Sequence, residues 1–174
     1  MGQVLRHLLP LLQPDFREHE HWVIINHQGK ADLERSYPNK LQRWNEAGVK
    51  FVILRDNDGS DCVALKRRLV EKVPARAPEY LVRIVCQELE SWFLGDMAAV
   101  AAAYPAAGRH PQFSSLSKRD PDILANASDL IRELSGTGAK ISRAVEIAQK
   151  MQPTGNRSTS FQVFVSGLRK LRTA

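Results

Sequence analysis

Cysteine is scarce: Cys62 and Cys86 are the only two in 174 residues. Two thiols in apolar surroundings make no disulfide framework, and no Cys/His spacing suits a metal knuckle, so both are expected as reduced core thiols. Long apolar runs are absent as well. No segment approaches the roughly 20 apolar residues of a membrane span, which predicts a soluble protein with no membrane partner. The leucines of "MGQVLRHLLPLLQP" are interrupted by Arg6 and His7 and no small-residue cleavage site follows, so no secretory signal is expected and cytoplasmic residence is the default. A full P-loop and a nucleophile elbow are missing too, leaving Walker-type nucleotide binding unsupported.

What is present is an ordinary globular composition, 43% hydrophobic and 25% charged, in a length that suits one domain with a real core. The charge is unevenly placed. Residues 1–108 hold 14 Lys and Arg against 14 Asp and Glu, whereas residues 109–174 hold 11 against 5. A neutral, carboxylate-bearing part is thus followed by a basic one. Basic faces steer polyanions, although the same excess also serves simply as a solubilising surface.

Three short Val/Ile-rich runs, "WVIIN" at 22–26, "KFVILRD" at 50–56 and "YLVRIVC" at 80–86, read as buried strands. Helix-like stretches separate them, the pattern of βαβ units and a parallel sheet. The first connection predicts a helix that starts or restarts near Pro38, because proline suits a first turn better than an interior. The second predicts a helix capped by Ser60, with Cys62, Leu65, Leu69 and Val73 on one face. Beyond the third run, "ELESWFLGDMAAVAAAYP" predicts one or two helices broken near Gly95. Further helices are expected at about 128–134, 139–151 and 158–172, the last with Phe161, Phe164, Val165, Leu168 and Leu171 as a core stripe.

The chemistry concentrates in "FVILRDNDGSDC", residues 51–62, where an apolar strand runs into three aspartates. Ligands of open parallel sheets bind beyond the carboxyl ends of the strands, which is where Asp56 and Asp58 fall. Two carboxylates at i and i+2 on extended backbone point the same way and can share Mg²⁺, which one or two carboxylates plus substrate phosphate typically hold. A calcium loop starting at Asp56 would need Gly at 61 and Glu at 67, and Asp61 and Arg67 stand there. An Asx-turn with a helix cap explains Asp58, Gly59 and Ser60 without a metal, but leaves Asp56 in need of a partner such as Arg55 or a cation. Glu88 and Glu90 fall at the same rim and Glu88 could complete a carboxylate set, though both also suit a first helical turn. Lys30, after Gly29 at a helix start, could receive a phosphate. A solitary His27 is more often structural than catalytic.

The stretches "GKADLERSYPNKLQRW", "FVILRDNDGSDC", "LVRIVCQELESWFLGD", "RDPD" and "NRSTSFQVFVSGLRKL" together resemble short members of the bacterial domain-of-unknown-function family 4276. That family is similar to Toprim domains, the topoisomerase–primase catalytic fold that overcoming-lysogenisation-defect nucleases also use. The resemblance implies a Toprim-like (Rossmann-like) mostly parallel sheet flanked by helices over residues 1–108, with a basic helical extension over 109–174 packed on it. It also implies a magnesium- or manganese-dependent phosphoryl-transfer site acting on nucleic acid. Asp56 and Asp58 would then be the metal pair, Glu88 a further ligand or base, and Lys30 and Arg55 phosphate contacts. Similar chains open with an apolar strand and an acidic turn before the helix that looks like "QVLRHLLPLLQP"; this chain starts inside that helix, so a first strand and its acid are missing from the pattern. Either the start codon is assigned too late, or part of the site is lost. The latter would fit a non-catalytic subunit that docks on a partner such as an ATPase. Phosphate-ester chemistry on a small nucleotide is a third reading.

Overall fold

The computed structural model describes residues 1–136 and 138–173, the side chains of 172 and 173 excepted. Its frame is one β-α-β unit. Strand β1 (Phe51–Asp56) leads through helix α3 (Cys62–Glu71) to strand β2 (Tyr80–Val85), and the two pair in parallel from Phe51 opposite Tyr80 to Asp56 opposite Val85. Before them lie α1 (Gly2–Leu12) and α2 (Lys30–Arg43). After them come α4 (Glu90–Gly95), α5 (Met97–Ala103), α6 (Phe113–Leu116), α7 (Ala127–Ser135), α8 (Lys140–Ala148) and α9 (Thr159–Thr173). The protein is therefore α/β, a small parallel sheet flanked by helices, as expected. Among the described residues, no helix is long and apolar enough to cross a membrane.

Strand alternation sends successive side chains to opposite faces. Ile53, Val82 and Ile84 pack with Tyr37 and Leu41 of α2 and Leu65 and Leu69 of α3. Val85 instead joins the larger core, where Val4, Leu8 and Leu12 of α1 meet Trp92 and Phe93 of α4, Ile131 of α7, Ile147 of α8 and Phe161 and Phe164 of α9. Trp92 is its centre. Its ring stacks on Phe164 at 5.1 Å and meets Phe161 edge-on at 5.1 Å, while its indole N–H donates to Ser160 Oγ at 2.9 Å. The aromatic stripe of the last helix is core, as its spacing predicts.

Three expectations are corrected. Residues 22–26 are extended but join no sheet: the one ladder contact there is an isolated bridge between Glu18 and Trp22, and Val23 and Ile25 are 53% and 41% exposed. An apolar run becomes a strand only when an edge accepts its backbone hydrogen bonds, and β1 pairs with β2 alone. Helix α2 starts at Lys30 and passes through Pro38. The lost N–H is tolerated because Tyr37 and Leu41, on either side of it, are buried, and Tyr37 Oη donates to the Leu69 carbonyl. Asp61 rather than Ser60 caps α3, its carboxylate accepting from the Ala64 N–H at 2.6 Å, which also suits the helix dipole. The break near Gly95 falls where expected, with Asp96 capping α5 through the Ala99 N–H.

Candidate functional site

At the carboxyl end of the sheet the two strands stay zipped one step past their last pair. Asn57 N–H donates to the Val85 carbonyl at 3.0 Å and Asp58 N–H to the Gln87 carbonyl at 3.2 Å, while Asn57 Oδ1 accepts from the Gln87 N–H. Both chains then turn through left-handed backbone, φ being 49° at Asp58 and 61° at Gln87. Such conformations are rare for residues other than glycine and collect at sites where the surroundings enforce them. They also end the extended geometry between Asp56 and Asp58.

The acids therefore part company. Asp56, opposite Val85, turns toward the larger core, and its Oδ1 is buried with no hydrogen-bond donor. Its carboxyl is pushed up to about 7, first by burial and then by the charges of Asp58 and Glu90, with the N-terminal ammonium pulling the other way and Glu88 adding a smaller push upward. Glu88 is raised as well, by burial and by Glu90. Glu90 is buried at the start of α4, where Lys140 of α8 reaches it at 3.0 Å. Asp58 swings to the other side and accepts from Lys30 Nζ at 3.1 Å, with Arg55 Nη2 4.0 Å away. Among the described residues, no three His, Cys, Asp or Glu side chains are gathered closely enough to hold a metal ion.

Arg55 is not the partner of Asp56. It points to the α2/α3 face, 7% exposed, and its Nη1 donates to Glu34 of α2. Glu34 also receives Lys72 at 2.7 Å and Arg68 at 3.4 Å. A cleft of about 510 Å³ opens here, lined by Lys30, Ala31, Glu34, Arg35, Arg55, Arg68 and Lys72. Lys30 and Arg55 thus line one cleft, while Asp56 and Glu88 lie across the strand from them. Sequence reasoning missed Glu34, Arg68 and Lys72. The available signal was helical spacing: Lys30 to Glu34 and Arg68 to Lys72 are each four residues apart, so each pair shares one side.

His27 is tied to α2. Asp32 Oδ2 and Ser36 Oγ both approach its Nδ1 at 3.1 Å, so no relay runs from one ring nitrogen to the other. The cysteines are half-buried rather than core, their Sγ atoms 3.1 Å apart beside Asn57. "RDPD" and "NRSTSF" build a clamp: the Asp122 carboxylate accepts from Ser158 Oγ at 2.7 Å and Ser160 N–H at 2.8 Å, Asn156 Nδ2 donates to the Trp92 carbonyl, and Arg157 donates to the carbonyls of Leu94, Leu116 and Arg119.

The family model of a domain of unknown function, DUF4276, matches residues 4–169. The chain belongs to this family. The match reaches from α1 into α9, so the strand-end acids, the basic cleft and the clamp all lie within the DUF4276 region. No curated protein and no solved structure matches the chain.

Proposed function

We propose that this DUF4276 chain is a Toprim-like, metal-dependent phosphoryl-transfer protein that cleaves a phosphodiester of nucleic acid. Asp56 carries the reading: an acid at the carboxyl end of a parallel strand, with a buried oxygen that nothing in the protein satisfies and neighbouring acids that oppose its ionisation. With Arg55 committed to Glu34, a cation is the partner that would relieve it. The residues present fit Mg²⁺ or Mn²⁺, since such sites use one or two carboxylates and take further oxygens from substrate phosphate and water. Asp56 would hold the ion, joined by Asp58 once that carboxylate leaves Lys30 and turns back across the strand end, with Glu88 as a further ligand or as base. When bound, the ion supplies Lewis-acid stabilisation of the charged phosphorus centre and lowers the pKa of a bound water. Glu88, raised above the ordinary glutamate range, is suited to accept the proton of an attacking water. Lys30 and Arg55 meet phosphate from the other side of Asp58.

The deciding assay is cleavage of DNA and RNA with Mg²⁺ or Mn²⁺, by the chain as it stands and by one extended upstream. Activity should disappear in the double variant Asp56→Ala, Asp58→Ala; no cleavage from either chain with any added metal sinks the proposal. A readout free of turnover is thermal unfolding at pH 7, where Mg²⁺ should raise Tm for the native chain and not for Asp56→Asn.

The dispersed acids also favour a second reading, a non-catalytic subunit that uses this rim to dock on a partner such as an ATPase. Under it, partner binding survives at full strength in EDTA and no cleavage accompanies it.

A further inference from the structure

We infer that the cleft between α2 and α3 is a pocket for a phosphate monoester dianion, such as the terminal phosphate of a nucleic acid strand, with Glu34 occupying it as an internal stand-in. This deepens the proposed function by naming the group that Lys30 and Arg55 receive. It does not need that reading, because binding in the cleft requires neither metal nor cleavage.

The argument begins with charge. Five cations, Lys30, Arg35, Arg55, Arg68 and Lys72, line the cleft, and three carboxylates answer them: Glu34 on Arg55, Arg68 and Lys72, Asp58 on Lys30, and Asp32 on Arg35. Two positive charges are left over, the complement of a monoester dianion. A diester in the middle of a strand carries half of that. Geometry adds a second, independent sign. Arg55 is more than nine-tenths buried, and its Nε is sealed from solvent with no hydrogen-bond partner. A guanidinium offers five donors in a fixed fork that matches phosphate; Glu34 takes Nη1 and Asp58 stands 4.0 Å from Nη2, too far for a hydrogen bond, which leaves the fork under-satisfied. The start of α2 supplies further donors. Gly29, with φ of 96°, is its N-cap, and no side chain caps the first turn, so the N–H groups beside Lys30 and Ala31 are available at the positive end of a 14-residue helix. The cleft is shallow and open, with a volume of about 510 Å³, so a phosphate would sit against the cations with its sugar toward solvent.

Glu34 explains how such a pocket persists without its ligand. Its carboxyl is held below the ordinary glutamate range, first by the hydrogen bond from Lys72, so it is ionised and offsets part of the site's positive charge. An entering phosphate must displace it, and removing its charge should tighten binding.

The test is equilibrium binding in EDTA of a single-stranded oligonucleotide bearing a 5′-phosphate, of its 5′-hydroxyl twin, and of the matching 5′-mononucleotide. The native chain should prefer the phosphorylated strand by at least about tenfold, the worth of one charge-assisted hydrogen bond at the low end of its range. The exposed pair Arg68→Ala, Lys72→Ala should abolish the preference, and Glu34→Gln should widen it. Arg109→Ala with Lys118→Ala, outside the cleft, should weaken both strands equally. A mononucleotide bound as tightly as the phosphorylated strand supports the pocket and makes its ligand a small nucleotide. Equal affinity for the two strands, or a preference that survives loss of Arg68 and Lys72, overturns the inference. Failure of metal-dependent cleavage leaves these ratios unaffected, so the two proposals fail separately.

Discussion

Asp56 is a carboxylic acid that folding makes harder to ionise, and the consequence for stability has a definite sign. Its folded pKa, about 7, lies above the ordinary value of 3.8, so between those limits the native state binds the more protons. Its contribution is fully present below about pH 4 and is lost as pH rises toward 7. In EDTA the native chain should therefore lose on the order of 2–4 kcal/mol from this group over that interval, and Asp56→Asn should flatten that part of the profile measured by urea unfolding. A second single-residue prediction concerns Cys86, pushed up to about 12 by burial and by the neighbouring Cys62 thiol. Its native alkylation at pH 8 should be at least about a hundredfold slower than that of a free thiol, because the thiolate is the nucleophile; peptide mass spectrometry after timed labelling reads this. The position of Asp56 at a strand end was legible in sequence. Strand alternation already sets it apart from Arg55; what was not legible is which side is basic, because only the packing of α2 and α3 decides that.

Among elements, the legible ones carry their own period. α7, α8 and α9 fall close to their expected bounds because apolar residues recur there at helical spacing. Residues 22–26 misled because a continuous apolar run has no period to contradict it and says nothing about whether an edge is free. The clamp that starts α9 was quoted as a motif yet its role was invisible, since Asp122 meets Ser158 and Ser160 across 36 and 38 residues. Asp122→Ala should destabilise the fold by about 2–4 kcal/mol, leaving buried donors around Trp92 without an acceptor; urea midpoints would show it. Gly95→Ala should be comparably harmful, because an added Cβ would stand 2.1 Å from Asn156 Oδ1 and 2.9 Å from the Ser158 nitrogen. A midpoint unchanged in both variants would remove the clamp from the account of stability.

For the whole molecule, charge decides how a polyanion would be met. The cleft was not legible in sequence, because α2, β1 and α3 contribute residues from 30 to 72 and the fold alone brings them together. If nucleic acid is the ligand, the logarithm of its binding constant should fall linearly with the logarithm of salt concentration, with a slope of about −0.7 per contacted phosphate of a single strand. The packing of α1 with α8 bears on refolding. Val4, Leu8 and Leu12 share one core with Ile147, Phe161 and Phe164, so α1 completes its packing only when segments from far along the chain come back to it. Contacts of such long sequence separation are slow to close. Until they close, that apolar stripe lies open to other unfolded copies, and the first moments of refolding are when aggregation competes.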